Sequence, residues 1–173
     1  MKCVVPFILI TVALAASAAF AAPPGQSTSP AQFCQSELAT LGAVNFKSLY
    51  APGGSGANAM GKCVSKHARA AAANRINAAK TCDAEMTMPE AAFRTAHGGQ
   101  SFAEFYGKNR NDRNAFGKCV SSKTQAANAQ QEAALMKAAK ACKAERAADR
   151  TAFTTKYGGK AASAFGKCVS SKR

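Results

Sequence analysis

The sequence has no tryptophan and few of the large apolar side chains that fill protein cores. Although 47% of its residues are hydrophobic, much of that fraction is alanine, which buries little surface. Beyond residue 21 the chain contains four Leu, one Ile, four Val and eight Phe. Chains this poor in large apolar residues and this strongly charged usually stay unfolded. The composition therefore excludes a fold held by a large apolar core alone, and it requires another source of stability.

Acidic residues and histidines are also scarce. The chain has 9 Asp and Glu against 23 Lys and Arg, only two His, and a formal net charge of +14. It contains no nucleophile elbow, phosphate loop or dinucleotide fingerprint. It also lacks the closely spaced cysteines that zinc sites need. We therefore expect no catalytic residue, cofactor or metal, and no enzyme. The alternative is an exported enzyme whose site cannot be recognised from the sequence.

Long apolar runs are missing everywhere except at the N-terminus, where residues 1–21 predict a secretory signal peptide. A lysine precedes a continuous apolar stretch, which ends in Ala-Phe-Ala at 19–21, a sequence typical of cleavage sites. A membrane anchor fits less well because the stretch is short and leads into Ala-Pro-Pro-Gly without a basic cluster. We expect cleavage near Ala21, secretion to the cell surface or beyond, and no transmembrane segment.

Six cysteines remain after this segment, and they belong to a sequence repeat. The pentapeptide Gly-Lys-Cys-Val-Ser occurs at 61–65, 117–121 and 166–170. Each copy follows another cysteine by a few tens of residues, and each of these upstream cysteines is followed three residues later by a glutamate. The upstream pairs are Cys34 and Glu37, Cys82 and Glu85, and Cys142 and Glu145. Each unit thus carries two cysteines.

Six cysteines allow fifteen pairings, but self-contained units would select one of them. In that pairing Cys34 bonds Cys63, Cys82 bonds Cys119 and Cys142 bonds Cys168, across separations of 29, 37 and 26 residues. Chain-entropy models give loops of this size roughly 3.5 kcal/mol each. We predict three structural disulfides, which together would rival the stability of a small domain.

Each unit also predicts a short helix, a glycine turn and the start of a further helix. Aromatic rings four residues apart share a helical face, at Phe46 and Tyr50, Phe93 and His97, and Phe153 and Tyr157. Glycine pairs at 53–54, 98–99 and 158–159 predict helix stops. The predicted helix starts are Pro89 and Asp149, and the predicted caps are Asn58, Asn114 and Ser163. Gly61, Gly117 and Gly166 have no side chain, so they would let the backbone of another segment approach closely.

Between the units the chain contains only helix formers, at 66–80 and 123–141. One continuous helix is expected to carry Cys63 and Cys82, and another Cys119 and Cys142. The predicted fold class is all-α, with long helices joined by short helices and glycine turns in a zigzag or small stack. The predicted divisions are a flexible Pro/Gly/Ser linker at 22–32 and units at 33–67, 68–123 and 124–173, the second with an inserted loop at 100–113.

The polar residues of the units have structural interpretations. Glu37, Glu85 and Glu145 are expected to form ion pairs with nearby Lys or Arg. His97 takes the place of a tyrosine, which favours aromatic packing over acid-base chemistry. His67 stands among basic residues and is expected on a solvated helix face.

Positive charge gives the one functional lead. Two sets of residues are candidates for contact with a polyanion. The first is a row at three-residue spacing on a helix, Lys137, Lys140 and Lys143, which Arg146 continues and to which Arg150 adds; the second is Lys108, Arg110 and Arg113 in the inserted loop. Such a field attracts polyanions, here a cell-wall polymer or extracellular nucleic acid. The alternative is that the charge only keeps an alanine-rich surface soluble. Membrane disruption fits less well, because no helix has a continuous face of large apolar residues.

The third unit resembles repeats in uncharacterised, alanine-rich exported proteins of high-GC bacteria. The resemblance lies in Ala-Cys-Lys-Ala-Glu-Arg at 141–146, Lys-Tyr-Gly-Gly at 156–159 and Ala-Phe-Gly-Lys-Cys-Val at 164–169. It extends over nearly all of the chain after the signal peptide and implies export and repetition, but no specific function. The first unit departs from the pattern at Ala51, Pro52 and Met60. We expect an exported, disulfide-stabilised basic helical protein that serves as a binding or structural module.

Overall fold

The computed structural model describes residues 29–107, 113–158 and 160–173. These residues form helices joined by turns and contain no strand, which confirms the all-α class. The helices are α1 (Pro30–Leu41), α2 (Ala43–Tyr50), α3 (Ala59–Met86), α4 (Glu90–Ala96), α5 (Phe102–Gly107), α6 (Ala115–Ala148), α7 (Arg150–Lys156) and α8 (Ala161–Ser171). Within the described ranges no helix has both the length and the apolar character needed to cross a membrane.

The predicted signal peptide and most of the predicted linker lie outside the described residues, as do Lys108 and Arg110. The end of the linker prediction is wrong, since α1 begins at Pro30. Ser29 and Gln32 form a capping box there, in which each side chain bonds the backbone of the other. The cap and the proline at the first helical position extend the helix into the segment that composition alone marked as flexible.

The two long helices confirm the prediction of unbroken helices between the units. Cys63 and Cys82 both lie on α3, and Cys119 and Cys142 both lie on α6. The helices are antiparallel neighbours, because the end of α3 is bonded to the start of α6 through Cys82 and Cys119. Nearer their middles, Asn74 donates hydrogen bonds to Asn128 Oδ1 at 2.8 Å and Gln131 Oε1 at 3.0 Å. Small residues let the two helices approach along this length.

All three predicted disulfides are present, each with its Cα atoms 6.0 Å apart. We call them the first corner (Cys34–Cys63), the middle corner (Cys82–Cys119) and the last corner (Cys142–Cys168). They join α1 to α3, α3 to α6 and α6 to α8 in turn. All six cysteines are fully buried. Each long helix is therefore held at both ends by a covalent bond.

The apolar core lies mainly at the end of the molecule that holds the first and last corners. Phe33 and Leu41 from α1 pack with Leu135 of α6, Phe153 of α7 and Phe165 of α8. Helix α2 also contacts α8. Of the two predicted arrangements, a zigzag or a small stack, the structure has the stack, since α6 returns alongside α3 and brings the two outer units together. Most of the sparse large side chains lie at this end, in this cluster and in a second one around Phe46 and Tyr50, while the middle corner lies at the far end.

The turn predictions are mostly confirmed. Gly53, Gly98 and Gly158 have positive φ, and Asp149 accepts a hydrogen bond from Ala152 N as the cap of α7. The predicted cap at Ser163 is wrong, because α8 begins at Ala161.

The glycines of the pentapeptide are explained only in part by close backbone approach. A Cβ atom on Gly166 would lie 3.7 Å from the Ser48 carbonyl oxygen, whereas Gly61 and Gly117 face no atom within 4 Å. The expectation is therefore wrong for Gly61 and Gly117. The close approach at Gly166 arises because α8 packs against α2, and no backbone of the described residues comes as close to Gly61 on α3 or Gly117 on α6.

Leu135→Ala should reveal how far stability depends on the shared core. Leu135 is fully buried, and truncating a buried leucine costs about 2–5 kcal/mol of unfolding free energy. Ile76→Ala is the matched control, because Ile76 is 59% exposed on α3 and its loss should change stability by less than about 0.5 kcal/mol. Urea unfolding followed by circular dichroism measures both, and equal losses would contradict this core assignment.

Candidate functional sites at the corners and on the basic surface

Each corner places a glutamate and a tyrosine beside its disulfide. Tyr50 donates a hydrogen bond to Glu37 Oε2 at 2.7 Å in the first corner. Tyr106 donates to Glu85 Oε2 at 2.9 Å in the middle corner, and Tyr157 donates to Glu145 at 3.1 Å in the last. A lysine Nζ lies over each ring, at 5.6 Å for Lys66 on Tyr50, 6.0 Å for Lys123 on Tyr106 and 5.1 Å for Lys156 on Tyr157. The repeated glutamate is thus an acceptor for a tyrosine as well as a charge.

In the middle corner the tyrosine comes from the inserted segment. His97 occupies the tyrosine position of the unit, and its ring stacks on Phe93 with centroids 3.9 Å apart and Nδ1 3.0 Å from the Phe93 carbonyl oxygen. This confirms its predicted packing role. The hydroxyl that His97 lacks is provided by Tyr106 on α5. The insertion therefore restores a contact that the substitution removes, which spacing within the unit could not reveal.

Ion pairs complete the middle and last corners as predicted. Lys123 Nζ lies 2.8 Å from Glu85 Oε1, and Lys172 Nζ lies 3.2 Å from Glu145 Oε2. Both lysines follow the second cysteine of their unit by four residues. Burial acts to raise the pKa of Glu85, but hydrogen bonds from Lys123 and Tyr106 hold it below its usual value. The hydrogen bond from Lys156 lowers the pKa of Glu145 to about 2, with Lys172 and Tyr157 assisting.

The first corner differs because a histidine, His67, stands where the others have lysine. The prediction that His67 is solvated is wrong, since it is 8% exposed with its ring centroid 4.5 Å from that of Phe33. Its Nε2 lies 3.1 Å from the Tyr50 hydroxyl oxygen. The predicted ion pair of Glu37 is also wrong. Glu37 is fully buried, and no cation of the described residues lies within salt-bridge distance of it.

Burial therefore controls the charges of the first corner. Desolvation raises the pKa of the Glu37 carboxyl, and the Tyr50 hydrogen bond opposes this only in part. Desolvation, together with the positive charges of Lys66 and Arg173, lowers the pKa of His67 to about 4. His67 is thus neutral at physiological pH. The Glu37 Oε1 atom is buried and has no hydrogen-bond partner among the described residues.

The three predicted lysines on α6 are all exposed, but they do not share one face of the helix. Three-residue steps fall short of a 3.6-residue turn, so the row drifts around the helix. Lys143 also reaches α1, where its Nζ donates to the Thr40 carbonyl oxygen at 2.7 Å.

Two cations beyond Lys143 complete a cleft between α6 and α2. Arg146 donates to Asn45 Oδ1 at 2.9 Å, and Arg150 lies on the same face of the chain. Lys143, Arg146 and Arg150 line this cleft of 290 Å³ with Val44 and Asn45. We call it the α6 basic cleft. It brings three cations around one concave surface.

A second basic cleft was not predicted from the sequence. Lys62, Lys66 and Arg69 lie at four- and three-residue steps on α3, which puts them on one face. With Asn58 and Ser65 they line an opening of 550 Å³ at the start of that helix. We call it the α3 basic cleft. The spacing of these residues is the signal that could have identified it.

Of the inserted-loop candidates, only Arg113 lies in the described part of the chain. It is exposed and lines an apolar cavity of 480 Å³ with Met86, Met88, Phe102 and Phe116. This places Arg113 away from both basic clefts. Three of these apolar side chains are unusually exposed, and nothing in the sequence pattern indicated that they would gather beside the middle corner.

Tyr50→Phe should destabilise the protein more than Tyr157→Phe. The first removes the hydroxyl that donates to the buried Glu37 carboxyl group, which costs about 2 kcal/mol or more, while the second leaves Glu145 with two lysines and should cost less than about 1 kcal/mol. Urea unfolding of the two variants measures the difference. Equal losses of unfolding free energy would show that the Tyr50 hydrogen bond is no more important to the buried Glu37 than the Tyr157 hydrogen bond is to Glu145.

Comparison with known proteins adds no functional assignment. No protein-family model, curated protein or solved structure matches this chain. The charges and contacts of the chain's own residues are therefore what bears on its function.

Proposed function

We propose that the protein is an exported, disulfide-stabilised binding module that attaches to an anionic polymer outside the cell. The observation that carries the proposal is the presence of two basic clefts on a protein with net charge +14. Three cations line each cleft, and none of these six has a carboxylate ion-pair partner among the described residues. Cations grouped in this way attract polyanions through the release of bound counterions.

The distribution of acids supports the same reading. In the described residues Glu85 and Glu145 pair with lysines at the corners, and Glu90 and Glu104 pair with Arg94 beside the middle corner. Glu37 is buried. These negative charges are therefore used where the structure is held together, and the clefts are left positive. Acids and histidines occupied in this way favour a binding role over catalysis.

A polymer fits this surface better than a small anion. Both clefts are open and lined by long, flexible side chains, so each would hold a single phosphate or sulfate weakly in water. A polymer that contacts several cations at once gains affinity from each neutralised charge. Export would place the protein among such polymers, with wall polymers and extracellular nucleic acid as the two candidate classes. The disulfides and the predicted signal peptide support this location.

Salt-dependent binding tests the proposal, with heparin, duplex DNA and teichoic acid as probes. Retention should fall steeply between low and physiological salt for at least one probe, because each neutralised anionic group adds to the salt slope. The double variant Lys143→Gln, Arg150→Gln should weaken binding to that probe by about tenfold. Arg146 is kept in this variant because its hydrogen bond to Asn45 helps to pack α6 on α2.

Lys80→Gln, Lys160→Gln is the matched control, since it removes the same charge from exposed positions outside the clefts. Its effect should be no more than about twofold, which reflects the loss of general field alone. Equal effects of the two double variants would assign the charge to solubility. Binding that is absent at low salt, or indifferent to salt, would refute the proposal.

A further inference from the structure

We propose that the first corner is a redox-controlled zinc site, formed when the Cys34–Cys63 disulfide is reduced. The ligands are the two thiolates, His67 and the carboxylate of Glu37. This inference is independent of polymer binding, because it concerns a different and buried set of residues. No sequence pattern indicates this site, since Cys34 and Cys63 are far apart in the chain and helix packing brings them to one histidine.

The geometry brings three of the four proposed ligand residues together before any metal is added, and it places Glu37 beside one of them. The sulfur atoms of Cys34 and Cys63 and a ring nitrogen of His67 all lie within 4.8 Å of one another. Glu37 Oε2 lies 3.6 Å from the sulfur of Cys63. Two cysteines, a histidine and a carboxylate are ligand types that tetrahedral Zn²⁺ accepts. The helices α1 and α3 hold all four residues, so little backbone movement is needed.

A second and independent observation is the unpartnered oxygen of Glu37. The side chain is fully buried, and its Oε1 atom has no hydrogen-bond partner in the described part of the chain. Buried carboxylate oxygens are nearly always paired, and an orphan calls for an explanation. The distance of 3.6 Å to the Cys63 sulfur belongs to Oε2, so Oε1 would meet a metal ion held by Cys34, Cys63 and His67 after rotation of the carboxyl group. Tyr50 would keep its bond to Oε2 and orient the carboxylate, as outer-shell partners of metal ligands do.

The other corners show what a purely structural version looks like. They carry Lys123 and Lys172 at the position of His67, and each lysine forms an ion pair with the corner glutamate. A lysine there neutralises the glutamate and repels a metal ion. Only the first corner combines a neutral nitrogen ligand with a glutamate free of ion pairs among the described residues. This difference makes the three corners natural controls for one another.

The chemistry balances with a dithiol as the reductant. The dithiol gives two electrons and two protons to the disulfide and becomes a disulfide itself, leaving thiols on Cys34 and Cys63. Zn²⁺ then displaces both thiol protons, and any proton on Glu37, into solvent. The three ligand negative charges exceed the charge of Zn²⁺ by one. Lys66 and Arg173, whose charges act on this corner, offset that excess.

The site also has a route to solvent. His67 lines a cleft of 220 Å³ between the start of α1 and the facing sides of α3 and α6, with Asn128, Gln131 and Glu132 on its far wall. This cleft reaches one edge of the histidine, which is otherwise buried. A hydrated cation could therefore approach the ring without unfolding the corner.

Protection from reoxidation tests the proposal within a single molecule. The protein without residues 1–21 is reduced, incubated with or without Zn²⁺, and oxidised with glutathione disulfide. Aliquots are then acid-quenched, freed of metal, alkylated and mapped by mass spectrometry. Zinc should slow formation of the Cys34–Cys63 bond by at least about tenfold and leave the other two bonds unaffected, since bound thiolates cannot attack a disulfide. Zinc that protects no pair, or all three equally, overturns the proposal.

Two variants sharpen the test. His67→Lys gives the first corner the residue found in the other two, and should abolish its selective protection while the Cys34–Cys63 bond still forms. Cys142→Ser, Cys168→Ser should leave that protection intact. Co²⁺ added anaerobically to the reduced protein should give the absorption spectrum of one tetrahedral thiolate site per chain. The affinity for Co²⁺ should fall by more than about a hundredfold in His67→Lys. Protection or a spectrum that survives His67→Lys unchanged would contradict the assigned ligand set.

Discussion

The covalent fixing of helix crossings is the constraint on which the rest of the structure depends. The long helices α3 and α6 are rich in alanine, and alanine contacts bury too little apolar area to hold helix crossings alone. With the crossings fixed by disulfides, the few large side chains can gather mainly in two clusters, one around Leu135 and Phe165 and one around Phe46. The molecule can then present a basic, alanine-rich surface along most of the two long helices.

The corners combine this covalent bond with polar contacts, which are buried in the first corner and partly exposed in the other two. A buried carboxylate beside a disulfide is costly unless donors or cations compensate it. Lys123 and Lys172 provide the cation in the middle and last corners, and tyrosine hydroxyls provide a donor in all three. The first corner lacks the cation and instead buries His67. Histidine in place of lysine at this position thus leaves the glutamate without an ion pair, and we propose that it creates a set of metal ligands.

The fold could be predicted from the sequence to the extent that local patterns determined it. The all-α class, the two unbroken helices and the disulfide pairing followed from helix formers between the cysteines and from three copies of one pentapeptide. The return of α6 alongside α3 did not follow, because it depends on contacts such as those of Asn74 with Asn128 and Gln131, which no periodicity encodes. Nor could the unit alignment reveal that Tyr106 would replace the hydroxyl missing at His97.

The candidate sites divide in the same way. Lys143 was identified from charge spacing, but its grouping with Arg150 beside α2 depends on helix packing. Lys62, Lys66 and Arg69 have a spacing that places them on one face of a helix, so this cleft could have been predicted from the sequence. The burial of His67 had no signal, since its neighbours Lys66 and Ala68 are exposed and the ring is covered by Phe33 of α1 and Tyr50 of α2. Tertiary packing, rather than composition, decided each of these outcomes.

Thermal unfolding of the purified protein, oxidised or treated with dithiothreitol and a metal chelator, shows whether the disulfides hold the fold. Three loops of this size contribute about 10 kcal/mol in chain-entropy models, comparable to the whole stability of a small domain. The reduced, metal-free protein should therefore lose its cooperative transition and most of its helical signal at room temperature, and regain both on reoxidation. A melting curve that reduction leaves unchanged would contradict this role of the disulfides.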